Sequence, residues 1–186
     1  MNVVPRLRGR FGRPYTFVDR CASTQRLLDG APEGAVAATD EQTEGRGRLG
    51  RTWHAPAGSS LLFSIALEPL VAPDRLPELS LVAGAAVAEA IRAQTGLQTA
   101  VKHPNDVLIR GRKVAGILAE SAEGRVVLGI GINVTQTTDE LPADTDPAAT
   151  SLALEGARAE REELLATVLE RLERHYDRWV TSTADR

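Results

Sequence analysis

Three strand-like runs follow one another between Thr99 and Val134 with no helix between them. They are Thr99-Ala100-Val101-Lys102, then Val114 to Glu120, then Arg125 to Val134. Asn105-Asp106-Val107-Leu108-Ile109 and an Arg110-Gly111-Arg112 turn lie between the first two, the pattern of a hairpin. Consecutive strands outnumber helices in the middle of the chain. The fold class is therefore α+β, with a mixed, mostly antiparallel sheet packed by helices.

The flanking segments fit that class. Tyr15-Thr16-Phe17-Val18 reads as a short strand, and Ala35 to Thr39 as a small-residue strand delivering Asp40, Glu41 and Gln42. Ser60 to Leu67 is an apolar run, expected as a strand buried on both faces. Leu79, Val82, Ala86, Val87, Ala90 and Ile91 are spaced for one face of a helix from Leu79 to Gln94, with Gly96 placed to stop it. A second amphipathic helix is expected from Arg161 to Trp179, with Leu164, Leu165, Val168, Leu169, Leu172, Tyr176 and Trp179 toward the core. Ser23 is suited to cap a short helix ending near Asp29, or to offer its hydroxyl to a ligand. Thr135 to Ala149 reads as loop.

At 186 residues the chain is one domain, placed at residues 14–182. Residues 1–13, with Arg6, Arg8, Arg10 and Arg13, read as a flexible arm. A net charge of −3 argues against a surface built for nucleic acid. Cys21 is the single cysteine, which excludes an internal disulfide and fits a reducing compartment. No apolar run reaches the roughly 18 residues of a membrane span, and the N-terminus has no apolar signal core. Cytoplasmic localisation and no membrane partner are the expectations.

Positive charge is concentrated in Thr43-Glu44-Gly45-Arg46-Gly47-Arg48-Leu49-Gly50-Arg51-Thr52-Trp53. Glycines let such a backbone approach a ligand closely, and each arginine offers a planar fork to phosphate or carboxylate. Gly45 to Gly50 also fits the G-x-G-x-x-G dinucleotide pattern. That fingerprint must follow a strand and open a helix, whereas polar residues precede this one and Pro56 follows. The segment reads instead as a lid ordered by an anionic small molecule.

A second constellation lies in the hairpin. Lys102 and Lys113 are the only lysines among 22 basic residues. Lys113 opens a strand after the turn and can return beside Asp106, with Asn105 adjacent. Ammonium, carboxylate and amide together suit Mg²⁺, phosphate and a reacting acyl group, or equally an ordinary surface ion pair. Gly129 and Gly131 inside a strand indicate close approach by backbone or ligand.

Taken in order, Glu41 to Trp53, Lys102-His103-Pro104-Asn105-Asp106, Arg112 to Glu120, and Gly129-Ile130-Gly131-Ile132-Asn133-Val134 resemble the catalytic domain of biotin–protein ligases, within the biotin/lipoate ligase family. The resemblance implies a fold like that of class II aminoacyl-tRNA synthetases. It implies activation of biotin by Mg-ATP to biotinyl-5′-AMP, then transfer to a lysine of a biotin carrier protein. It assigns Lys113, Arg48, Asp106 and Asn105 to catalysis. It assigns Ser23, Thr24, Gln25, Gln42, Gly45, Arg46, Gly47, Arg48, Lys113 and Gly116 to biotin. It assigns Arg46, Arg48, Arg51, Trp53, Asn105, Lys113 and Asn133 to the nucleotide, with Trp53 stacking on adenine, and Asp106 to Mg²⁺.

Three departures qualify the resemblance. His103 stands where the family pattern has tryptophan. The family's small C-terminal β-barrel is not expected after the last helix, nor is a helix-turn-helix expected before the domain, and no DNA partner is expected. A homodimer is allowed. The alternatives are a relative that binds biotin or its adenylate without efficient transfer, and a lipoate or octanoate ligase.

Overall fold

A computed structural model describes residues 1–122 and 124–184. Seven strands form one sheet: β1 (Tyr15–Cys21), β2 (Val36–Gln42), β3 (Ser60–Leu67), β4 (Ala100–Lys102), β5 (Asp106–Ile109), β6 (Arg112–Ala122) and β7 (Arg125–Asn133). Two helices, α1 (Leu79–Thr95) and α2 (Arg161–Ala184), complete the frame. The sheet order is β1-β2-β3-β7-β6-β5-β4. Only β1 and β2 run parallel; the other neighbours are antiparallel. This is the expected α+β class.

Side chains alternate across a strand, and the two faces of β7 differ sharply. Val126, Leu128, Ile130 and Ile132 are buried in the main core with α1 and α2. Val127, Gly129, Gly131 and Asn133 face the other way. Every residue of β3 is buried, as its apolar run required. Gly84 of α1 brings the helix close to the sheet: a Cβ there would stand 3.1 Å from Val101 and 3.9 Å from Ile117. Gly96 ends α1 with φ 74°, a left-handed conformation that glycine adopts without a Cβ clash. The seven apolar residues expected to face inward from α2 are all buried.

Two expectations are corrected. The helix expected after Ser23 is only a 3₁₀ turn, Arg26–Leu28. The Ser23 hydroxyl accepts from the Gln25 N–H at 3.4 Å, a local side-chain–backbone bond that competes with helix. Residues 1–13 are packed, not a loose arm. Val3 and Phe11 have 0% and 1% exposure, and Leu7 is also buried. Phe11 and Tyr176 lie with ring centroids 5.6 Å apart. Arg10 reaches Asp177 of α2 at 2.5 Å, and Arg6 pairs with Glu163. The apolar residues recur every fourth position, and α2 offers the acidic partners, which local reading of an arginine-rich stretch did not anticipate. Burial, followed by its hydrogen bond to Glu33, raises the Tyr176 hydroxyl pKa, so it remains a donor.

Phe11→Ala should destabilise the domain by about 3–5 kcal/mol, the usual penalty for emptying a buried phenylalanine site. The check is a urea titration, with a lowered midpoint at unchanged slope. An unchanged midpoint would mean that the segment does not contribute to the fold.

Candidate functional site

The face of the sheet away from the helices carries a cavity of about 130 Å³. Its floor exists because two glycines meet. Gly116 of β6 and Gly131 of β7 are cross-strand partners. A Cβ at Gly131 would stand 2.6 Å from the Trp53 ring, and one at Gly116 would stand 2.9 Å from it. The indole therefore rests on bare backbone. Its N–H is buried and finds no acceptor among the described residues.

One end of the cavity is built from uncharged donors and acceptors. Gln42 Oε1 accepts from the Thr24 N–H at 2.9 Å and from Thr24 Oγ1 at 3.1 Å. Those bonds orient the amide and leave the Gln42 Nε2 donors for another partner. Thr24 spends its one hydroxyl proton on Gln42, so Ser64 Oγ, 2.7 Å away, donates to Thr24. Ser23, Thr24 and Ser64 are all buried. Gln25 plays a more structural part. Its Nε2 donates to the Val127 carbonyl, and its side chain covers Gly129.

The other end is cationic. The β5–β6 turn is Arg110-Gly111, both with positive φ (49° and 78°), the signature of a tight hairpin turn. It brings Lys113 back across from Leu108, and the side chain reaches Asp106, with Nζ to Oδ1 at 2.7 Å. Both side chains are largely buried, and the contact is an ion pair rather than a well-aligned hydrogen bond. The Lys113 ammonium also stands 5.8 Å from the Trp53 ring centroid. Asn105 is buried; its Nδ2 donates to the Ile117 carbonyl at 2.9 Å, and its Oδ1 accepts from Arg48 Nη1 at 3.4 Å.

The glycine–arginine segment folds over these groups as a small hairpin. The Trp53 N–H donates to the Gly45 carbonyl at 2.9 Å, and the Gly47 N–H to the Arg51 carbonyl at 2.7 Å. Arg46 pairs with Glu120 of β6 at 2.8 Å. That partner is 74 residues away in sequence, beyond the reach of a local reading. Glu44 pairs instead with Arg26 at 2.8 Å. Among the described residues, no carboxylate lies within ion-pair distance of Arg48 or Arg51. They are lid cations without a carboxylate partner among the described residues, Arg48 being held by Asn105 and Arg51 by the Arg48 carbonyl.

Of the residues singled out in the sequence, Ser23, Thr24, Gln25, Gln42, Arg46, Gly47, Arg48, Arg51, Trp53, Asn105, Lys113, Gly116 and Asn133 line the cavity. Gly45 and Asp106 do not. Gly45 allows the Trp53 carbonyl to close in, since a Cβ there would sit 2.3 Å from it, and Asp106 stands behind Lys113. The Asn133 side chain lines the wall but is already committed, donating to the Thr150 carbonyl and accepting from Gln136. Lys102 and His103 are exposed, so only one of the two lysines belongs to the site. Sequence reasoning missed Ser64, whose signal was a hydroxyl inside an otherwise apolar strand. It also missed Leu141, Pro142 and Thr145, which line the cavity from a segment read only as loop.

Fold and cavity define an α+β domain with a small-molecule pocket, polar and uncharged at one end and cationic under a lid at the other. Residues 17–136 match the biotin/lipoate A/B protein ligase family, and the chain belongs to that family. The biotin–[acetyl-CoA-carboxylase] ligase of Mycobacterium tuberculosis is 41% identical over 152 residues, covering 79% of this chain and 56% of the relative. The bifunctional ligase/repressor BirA of Bacillus spizizenii is 38% identical over 181 residues, covering 91% of this chain and 56% of the relative. The chain thus spans little more than half the length of these relatives. The structure of biotin protein ligase from Aquifex aeolicus in complex with biotin and ATP matches with a TM-score of 0.78 at 33% identity, covering 91% of this chain and 73% of that one.

Gly131→Ala tests the floor. Its backbone is not left-handed, so alanine can adopt it, and the nearest atoms that the added methyl would displace are those of the Trp53 ring. The variant should fold with nearly unchanged thermal stability but expose Trp53, read as stronger acrylamide quenching of tryptophan fluorescence. Unchanged quenching would mean that the indole does not rest on the floor in solution.

Proposed function

We propose that this chain carries the ligase activity of a biotin–protein ligase: it activates biotin with ATP and passes the biotinyl group to a lysine of a carrier protein. The observation that carries the reading is the position of Lys113. Its ammonium lies between the amide–hydroxyl end, suited to a neutral polar head, and the arginine lid, suited to phosphate. The M. tuberculosis relative is a biotin–[acetyl-CoA-carboxylase] ligase and the A. aeolicus structure holds biotin and ATP, which supports the same substrates here.

In the first step a biotin carboxylate oxygen attacks the α-phosphorus of ATP. The bond to the β-phosphate breaks, and pyrophosphate leaves with the electron pair. Two anions must approach each other, and Lys113 neutralises both, aimed by Asp106 before they arrive. Arg46, Arg48 and Arg51 hold phosphate oxygens, with Asn105 setting the direction of Arg48. Gln42 Nε2, Thr24 and Ser23 engage the ring end of biotin. Trp53 leaves the floor to stack on adenine, because a cavity of about 130 Å³ is smaller than the roughly 300 Å³ typical of ligand pockets. In the second step a carrier lysine amine attacks the acyl carbon. AMP leaves, and the amine's extra proton passes to solvent. The closed lid shields the mixed anhydride from water.

Mg²⁺ is assigned to the substrate. Among the described residues no three acidic, histidine or cysteine side chains converge on one point. Asp106, the carboxylate at the site, is committed to Lys113. Mg²⁺ is held by one or two carboxylates together with substrate phosphates, so an ion arriving on the triphosphate would find Asp106 as its protein carboxylate beside Lys113. The exposure of His103 also argues against a binding-only relative, since Asn105 is held by its bond to β6 whatever residue stands at 103. No described helix is long and apolar enough to cross a membrane; the reading puts the enzyme in the cytoplasm beside a biotin-dependent carboxylase.

Incubation with ATP, Mg²⁺ and biotin, lipoate or octanoate, followed by pyrophosphate release, tests the reading. Only biotin should turn over. Lys113→Ala should lower that rate at least about 10²-fold, and Lys113→Arg should not restore it, because a planar fork does not fill a point-charge site. Near-normal pyrophosphate release by Lys113→Ala would remove Lys113 from the mechanism.

Lid closure has its own readout. Arg46, Arg48 and Arg51 are trypsin sites within the segment. Mapped limited proteolysis should show slow cleavage with biotin and Mg-ATP together, partial protection with biotin alone and little with ATP alone. Equal rates in all conditions would mean that the lid does not respond to ligand.

A further inference from the structure

Glu155 lies in a stretch to which no motif drew attention. Its side chain has 0% exposure, and a carboxylate in such a place stays charged only if it is well paired. It meets Arg112 Nη2 at 2.7 Å and Arg110 Nη1 at 3.2 Å. It also accepts a hydrogen bond from Thr150 Oγ1 at 2.7 Å. Both guanidiniums belong to the β5–β6 hairpin. Thr150 belongs to the segment that clasps the backbone of Lys113. The Lys113 N–H donates to the Ala148 carbonyl, and the Thr150 N–H donates to the Lys113 carbonyl, each at 2.8 Å.

Arg112 and Lys113 are successive residues of β6, so their side chains leave opposite faces of the strand. Anchoring Arg112 to a buried carboxylate fixes the peptide plane between them, and with it the direction of Lys113. The β5–β6 ladder alone fixes this less well, because its register shifts between Val107 and Leu108, one residue from Asp106. A bulge bends and twists its strand. Glu155 supplies the missing constraint by tying the turn, the clasp and Thr150 to one charge.

The geometry points to Glu155 as a positioning residue that holds Lys113 in line with Asp106 for the adenylation step. This rests on the reading of Lys113 as the catalytic cation. Glu155→Gln retains an acceptor for Thr150 and the side-chain shape, but it removes the charge that draws in both arginines.

The experiment measures pyrophosphate release by wild type, Glu155→Gln, Lys113→Ala and the double variant. A lysine displaced by a fraction of an ångström loses much of its effect, so Glu155→Gln should lower kcat at least about tenfold, with KM for biotin and ATP little changed. In the Lys113→Ala background it should lower the residual rate no further, since groups acting as one unit are not additive. Amide exchange at Lys113 and Thr150 should quicken in Glu155→Gln while β3 and α1 keep their protection. Unchanged kcat, full additivity with Lys113→Ala, or unmoved exchange at Lys113 would each overturn the assignment. If Glu155→Gln does not fold, Arg112→Gln makes the same test, because its side chain is 45% exposed. Wild-type protein that releases no pyrophosphate would defeat the ligase reading, while the exchange measurement would still decide whether Glu155 secures the clasp.

Discussion

Gly116 and Gly131 pair across β6 and β7, and a methyl group at either would overlap the Trp53 ring. Everything else about the site follows from that gap. The helices claim one face of the sheet and bury its large aliphatic residues there. At the centre of the opposite face of β7 stand Gly129 and Gly131, so an aromatic ring or a flat ligand can lie directly on peptide groups. Ser64 then occupies the neighbouring position on β3, facing Gly129 across the ladder. A larger residue there would fill the pocket, and one without a hydroxyl would leave Thr24 and Gln42 without their orienting chain.

Charge is distributed over this floor in a definite order. Two unit charges at 4 Å interact by about 1 kcal/mol in water and about 4 kcal/mol at an effective dielectric of 20. Lys113 and Asp106 are closer than that and mostly screened from water, so their attraction is stronger than that of an exposed pair. It is weak evidence for stability, because desolvating both ions opposes their attraction. Its value is orientation. A lone lysine on a four-carbon stem would sample many rotamers, whereas one facing Asp106 on one side and the Trp53 ring on the other is held in place before any ligand arrives, as the proposed reaction requires.

Much of this could be read from the chain. Both helices, the all-buried β3 and the Arg110-Gly111 turn follow from periodicity and turn chemistry, and the turn made the Lys113–Asp106 contact foreseeable. Motif order picked out most of the cavity wall. Long-range pairings were not visible. Glu120 beneath Arg46, Glu155 beneath Arg110 and Arg112, and α2 against Phe11 all join segments whose approach is set by tertiary packing rather than by local pattern. Composition misled in the same way at the N-terminus: arginines suggested a solvated arm, but Val3, Leu7 and Phe11 carried the stronger signal.

The arginine lid shows why a weak contact serves here better than a strong one. Arg46 and Glu120 are 47% and 40% exposed, and exposed pairs of this kind contribute about 0–1 kcal/mol. Glu120 therefore keeps Arg46 folded over the sheet without trapping it. On the proposed reading, a phosphate in the drier cavity would offer Arg46 more charge than Glu120 does, with a fork-shaped set of acceptors. Trp53 obeys the same logic, since its buried N–H has no acceptor among the described residues on the floor and leaving forfeits no hydrogen bond. Arg48 behaves differently: Asn105, fixed to Ile117 through Nδ2, accepts from it at the edge of the cavity. One arginine is thus held near the site while another is free to change partners. In the proposed reaction, such a division would let the lid admit substrates, close on the adenylate and reopen for the acceptor lysine without unfolding the hairpin that carries Lys113.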